Sequence, residues 1–199
     1  MNLPLKGIKV LDLSRLAAGN MVSHMLADYG ADVIKIEKPG KGDDLRHWKV
    51  KNISHWWHVY SRNKRSIALD FKSDAGIKVL KNLIKKSDIF IENFVPGTLE
   101  NWGLAPKKLL KINQDLIVLR ISGWGQTGIY KNQPGFGSLV EGMSGFAAMT
   151  GEKDQVPILP PTALADMISG LSGFSSLLLS LFAKQNNKVK GQVIDLSLF

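Results

Sequence analysis

Asp166 has the most unusual setting of any carboxylate in the chain: it is the only acidic residue between Asp154 and Asp195, and the 17 residues that follow, Met167 to Ala183, carry no charge. An aspartate in the first turn of a helix ordinarily offsets the helix dipole. Partly buried there and kept ionised by the helix N-terminus, it is also the nucleophile that covalent catalysis by a carboxylate requires. Spacing alone leaves both roles open. A second candidate is Arg62-Asn63-Lys64-Arg65-Ser66, which leads into a strand with Lys72 at its far end. It is either a solvated turn or a set of cations that neutralises the phosphates of a nucleotide-like ligand at the sheet edge. His47, His55 and His58 stand among Trp48, Trp56 and Trp57, after Asp43 and Asp44. A long loop does not give metal ligands a rigid spacing, so no metal site is expected. The tryptophans and nearby cations could instead form a shelf for an adenine ring. Gly123-Trp124-Gly125-Gln126-Thr127-Gly128 has the GxGxxG spacing, but Ile129 to Pro134 continue the loop. No helix opens there to face a pyrophosphate, so no nicotinamide or flavin is expected.

Composition narrows the field. The chain has 199 residues, no cysteine, 26 Lys+Arg against 17 Asp+Glu and 44% hydrophobic residues. That is ample material for a core, with no disulfide framework and no thiolate metal site. The net charge of +9 suits an anionic partner. Most of the charge is lysine, with arginine only at 15, 46, 62, 65 and 120, whereas base readout favours arginine. The expected partner is therefore not a nucleic acid. Met1 to Lys9 lacks the apolar run of a signal peptide, which leaves a cytoplasmic location as the expectation. Met167–Ala183 approaches the length of a membrane span but contains Ser169, Ser172, Ser175, Ser176 and Ser180. It reads as a buried core helix, not a membrane anchor.

The elements that must position these residues follow from apolar periodicity. Ile8–Leu13 reads as a buried strand, Met21–Tyr29 as a helix closed by Gly30, and Ala31–Ile36 as a second strand, which together make a βαβ unit. Residues 39–65 show no period and read as an irregular excursion. A strand over 66–71, a helix over 74–86 and a strand over 88–93 make a second βαβ. Further along come a short helix to Gly103, a helix from Pro106 to Gln114, a strand over 116–122 and a glycine-rich loop over 123–137. They are followed by a helix over 139–150, a proline-rich loop over 156–161, the long apolar helix and a strand over 193–198. The fold class is α/β, a Rossmann-like open parallel sheet with flanking helices. An apolar strand with nothing after it suggests that the sequence continues in a larger domain.

Six segments, in order, resemble the class III CoA-transferases, the family that includes formyl-CoA transferase, L-carnitine CoA-transferase and the α-methylacyl-CoA racemases. They are residues 7–14 (GIKVLDLS), 26–37 (LADYGADVIKIE), 42–44 (GDD), 63–67 (NKRSI), 92–97 (ENFVPG) and Ala165-Asp166. The resemblance covers the whole chain and corresponds to the N-terminal half of such a protein, residues 1–199 being an incomplete large CoA-binding domain. It implies an acyl-CoA thioester and a small carboxylic acid as substrates, no tightly bound cofactor, and an interlocked homodimer when full length. It also implies that Asp166 is the nucleophile, passing through a mixed anhydride and an aspartyl-CoA thioester.

By the same resemblance the CoA site would use the backbone around Ser14, Arg15 and Ala17, with Lys38 near the adenine and Leu69 and Lys72 near the base and phosphates. Asn93, Phe94 and Gly97 would follow the pantetheine, and the basic cluster of residues 62–65 would meet the polyanion. Asn101 stands where formyl-CoA transferase has a phosphate-binding arginine. Phe136 stands at the position of the racemases' proton-transferring histidine, and a phenyl ring moves no proton. A transferase is therefore expected ahead of a racemase, with a non-catalytic CoA-binding fragment as the other alternative.

Overall fold

In the computed structural model, which describes residues 3–71 and 73–199, the apolar runs become six strands. They are β1 (Lys9–Asp12), β2 (Asp32–Glu37), β3 (Arg65–Ala68), β4 (Ile89–Glu92), β5 (Ile117–Ser122) and β6 (Gln192–Ser197). All neighbours pair in parallel, in the order β3-β2-β1-β4-β5-β6. This is the doubly wound order in which the chain changes direction across the sheet between β1 and β4, so that the loops leaving those strands part and open a crevice.

The strands are apolar on both faces because both faces are covered. Val10, Val33, Ile89, Ile91, Ile117, Leu119 and Ile121 face one layer with Val22, Leu26 and Leu177. The alternate residues Leu11, Phe90 and Val118 face the other, with Leu80, Ile84, Leu99 and Leu109. The first layer is built by α1 (Ala18–Asp28) and the last helix. The second is built by α3 (Asp74–Ile84), α4 (Thr98–Asn101) and α5 (Pro106–Ile112).

The 22-residue last helix, α8 (Leu164–Gln185), is long and apolar enough to cross a membrane, but here it lies along α1 and against β5 and β6. Its buried stripe is Ala165, Ser169, Gly170, Gly173, Leu177 and Ser180. A Cβ on Gly170 would stand 2.8 Å from Met21 Sδ, so glycine is what lets the two helices approach.

Two expectations change. The excursion over 39–65 contains a 3-10 turn (Asp44–His47) and a helix, α2 (His55–Tyr60). These short pieces are held by tertiary packing of Leu45, Trp56, Trp57 and Tyr60 against Ala17 and Met21, which no periodicity announces. The helix expected over 139–150 is two, α6 (Gly137–Met143) and α7 (Phe146–Met149), parted at Gly145, whose φ of +82° breaks the helical path.

Candidate active site

Asp166 lies in the first turn of α8, half-buried, in the wall of a cavity of about 360 Å³ at the carboxyl end of the sheet. Arg15, Asn93, Phe94, Ser122, Gly123, Phe136 and Gly137 share that wall, and Lys131, Asn132 and Gln133 line it from the glycine-rich loop. Burial pushes the Asp166 carboxyl above the usual carboxylate range and the nearby Glu141 charge adds to this, while a hydrogen bond from the Ala18 amide opposes it. The carboxylate fits because residue 137 has no side chain: a Cβ there would stand 2.8 Å from Asp166 Oδ2.

A second cavity, about 520 Å³, adjoins the first at Arg15, Phe94 and Val95 and opens over the ends of β1 and β2. Ser14, Lys38 and Leu69 line it, with an aromatic wall made by Phe71, Phe94 and Trp102 whose rings lie 5.0 Å apart about Trp102. Together the two cavities form a bent cleft at the change of direction in the sheet, where doubly wound folds bind their ligands.

Buried charges fix the ridge between the lobes. Asp12, fully buried at the end of β1, accepts from the Ser14 amide at 2.9 Å and from the Ser14 and Ser23 hydroxyls. It pairs with Lys35 at 3.5 Å and Lys64 at 3.3 Å, and Lys35 also pairs with Asp43 at 3.0 Å. Asp43 accepts from the amides of Leu16 at 3.0 Å and Leu45 at 2.9 Å, holding Leu16 in its left-handed turn. On the other side, Asn93 accepts from the Arg15 amide and donates to the Arg15 carbonyl, each at 2.7 Å. The loop after β4 is fixed in turn by Glu92, which accepts from the Phe94 amide at 2.7 Å and pairs with Arg120 at 2.6 Å.

The structure brings Asp166, Ser14, Arg15, Lys38, Leu69, Asn93 and Phe94 to one cleft. Ala17 is buried under α2, with its side chain in neither cavity, and Gly97 is the left-handed residue before α4, outside both linings. Lys72 lies outside the described residues.

Arg62, Lys64 and Arg65 of the basic cluster line neither cavity, and each is ion-paired. Arg62 binds Asp28, Arg65 binds Asp32 at 2.7 Å, and Lys64 is buried against Asp12, Asn20 and Ser23. None of Trp48, Trp56 and Trp57 lines either cavity. Trp56 and Trp57 pack beneath α1, and Arg46 lies 3.8 Å over the Trp57 ring. The glycine-rich loop folds on itself, with Trp124 Nε1 donating to the Pro134 carbonyl at 2.8 Å, and no helix starts before Gly137. Among the described residues, no three His, Asp or Glu side chains converge as a metal site would need.

Four contributors escaped the sequence reading: Phe71, Trp102, Ser122 and Glu141. The Ser122 hydroxyl is buried in the cavity wall without a hydrogen-bond partner, and a serine at a strand end gives no sign of that. Glu141 did have a signal: it is the only charged residue between Lys131 and Glu152.

Over residues 5–199 the sequence matches CoA-transferase family III. It is 40% identical over 199 residues to the succinyl-CoA–D-citramalate CoA-transferase of Chloroflexus aurantiacus, covering 98% of this chain and 49% of that protein. Against the succinyl-CoA:glutarate CoA-transferase of Mus musculus it is 37% identical, covering 98% and 45%. A CAIB/BAIF family protein from Brucella suis superposes with a TM-score of 0.94 at 38% identity, over 100% of this chain and 54% of that one. The chain thus spans about half the length of the relatives it matches. A match over nearly the whole sequence and a shared backbone lead to the same place: this chain belongs to CoA-transferase family III.

Proposed function

We propose that this chain carries the nucleophile and the acyl-CoA cleft of a CoA-transferase, moving CoA from an acyl-CoA thioester to a carboxylic acid. The observation that carries this is a half-buried carboxylate, Asp166, in one lobe of a cleft whose other lobe has an aromatic wall and Lys38 at its rim. The larger lobe suits the adenine and phosphates, and the ridge of Ser14 and Arg15 would guide the pantetheine towards Asp166. The names of the relatives, which pair succinyl-CoA with citramalate or glutarate, support dicarboxylic acids as the substrate class. Arg15 and Lys131 in the Asp166 lobe supply cations for a second carboxylate.

In the reaction an Asp166 oxygen attacks the thioester carbonyl and the C–S bond breaks, leaving a mixed anhydride and CoA thiolate. The thiolate then attacks the aspartyl carbonyl, releasing the first acid and leaving an aspartyl-CoA thioester. The acceptor carboxylate attacks that thioester, giving a second anhydride and the thiolate again. Attack of the thiolate on the acceptor's carbonyl releases the new acyl-CoA and restores Asp166. Exclusion of water keeps the activated carbonyls from hydrolysis, and the apolar first turns of α8 suit that. A racemase reading is less favoured because Phe136, not a histidine, lines the cavity, and none of His24, His47, His55 or His58 is in its lining.

The test is isotope exchange. Labelled succinate should enter succinyl-CoA in the presence of the protein, assayed as the 199-residue chain and as the chain joined to or mixed with the other half of a relative. Exchange that requires Asp166 supports the reading. CoA binding without exchange in either form would leave a CoA-binding module.

A further inference from the structure

The N-terminus of α8 has no cap of its own. Ala163 precedes the helix and offers no side-chain acceptor, so the first-turn amides need a partner from elsewhere. Glu141, on α6, supplies one: its Oε1 accepts from the Ala165 amide at 3.0 Å. Ala165 is the residue before Asp166, so this contact fixes the turn from which the Asp166 side chain projects. Glu141 is buried, with only 7% of its surface exposed, and Gly137 of the same helix also lies close to the Asp166 carboxylate, since a Cβ added there would stand 2.8 Å from Asp166 Oδ2.

Two carboxylates thus share one end of a helix. Among the described residues, no lysine, arginine or histidine is ion-paired with either. The groups around Asp166 are few. From α1 comes the Ala18 amide, from α2 the Tyr60 hydroxyl, from the cleft Arg15 and Lys131, and from α6 Glu141. Arg120 of β5 is taken up by Glu92 and Glu100, and Asp195 of β6 by the Gln126 amide.

We propose that Glu141 is a positioning residue for Asp166, holding the first turn of α8 from the adjacent helix and setting a negative charge beside the nucleophile. The proposal rests on the transferase reading for its consequence, though not for its geometry. A carboxylate facing another carboxylate holds its proton more tightly and is a better nucleophile once ionised, and burial of Asp166 works in the same direction. Charge and position can be separated. Glutamine at 141 keeps an oxygen for the Ala165 amide and loses the charge, whereas alanine loses both.

The experiment compares Glu141→Gln and Glu141→Ala with the parent protein by two readouts. The first is the titration of the Asp166 carboxyl followed by NMR, assigned with Asp166→Asn, which needs no substrate. The second is the pH profile of single-turnover acylation by succinyl-CoA. With Glu141→Gln, the Asp166 midpoint and the acid limb of the profile should both move to lower pH, and the Ala165 amide should keep its slow hydrogen exchange. With Glu141→Ala, Ala165 exchange should accelerate and acylation should slow by roughly tenfold or more. An unmoved midpoint in Glu141→Gln, or parental acylation in Glu141→Ala, would overturn the proposal. If the midpoint moves but even the parent protein is never acylated, the coupling stands and the transferase reading fails.

Discussion

Gly137→Ala separates catalysis from stability most cleanly. The added Cβ would stand 2.8 Å from Asp166 Oδ2, so the oxygen must retreat about 0.6 Å to reach ordinary contact at 3.4 Å. A side-chain tip can make that movement at little cost to the fold, and Gly137 is the first residue of α6, where alanine is the better helix former by up to ~1 kcal/mol. Stability should therefore hold or rise slightly. The proposed nucleophile, however, is moved from its line of attack. A misplacement of about 1 Å costs on the order of a hundredfold in rate, so 0.6 Å should cost about tenfold, or ~1.4 kcal/mol of barrier. The assay is rapid-quench acylation of Asp166 by succinyl-CoA, with urea unfolding alongside. Acylation within twofold of the parent would refute the reasoning, as would a loss of stability above ~2 kcal/mol, which would mean that the backbone and not the carboxylate yields.

Asp12→Asn should destabilise the chain by ~3–5 kcal/mol in urea unfolding, because it leaves Lys35 and Lys64 buried with only Asp43 as a carboxylate partner, itself 3.0 Å from Lys35; a loss under ~1 kcal/mol would show the network to be incidental. Burial lowers Lys64 to about 8 from 10.5, against the pull of Asp12. Its folded pKa lies below its unfolded one, so the native state binds fewer protons between those values and stability should rise with pH across that window; the slope should vanish in Lys64→Met. Ser122→Ala should slow acylation while leaving the melting temperature within about a degree, since the hydroxyl has no partner to lose; an unchanged rate would mean it meets no substrate atom.

Strand positions were legible because a parallel sheet covered on both faces turns each strand into a continuous apolar run, as in Ile89-Phe90-Ile91. The helix over His55–Tyr60 was not, because its tryptophans are bound by contacts with α1 that are remote in sequence. Asp166 stood out because a charge at the start of an uncharged helix is rare, and Glu141 carried the same mark on α6. The basic cluster stayed ambiguous for a physical reason: Arg62 and Arg65 meet Asp28 and Asp32, carboxylates more than thirty residues away in sequence, and charge that is neutralised internally looks the same in a sequence as charge held for a ligand.

The central claim is that Asp166 itself forms bonds to acyl groups and to CoA, and the oxygen atoms record whether it does. In the proposed reaction, collapse of the second anhydride leaves on Asp166 the oxygen that the acceptor acid brought in. With the acceptor carboxylate labelled in heavy oxygen, repeated turnover with succinyl-CoA and mass spectrometry of the peptide containing Asp166 should show heavy oxygen in its side chain. Label in the product acyl-CoA with none in Asp166 would mean that CoA passes directly between substrates, and would contradict the account.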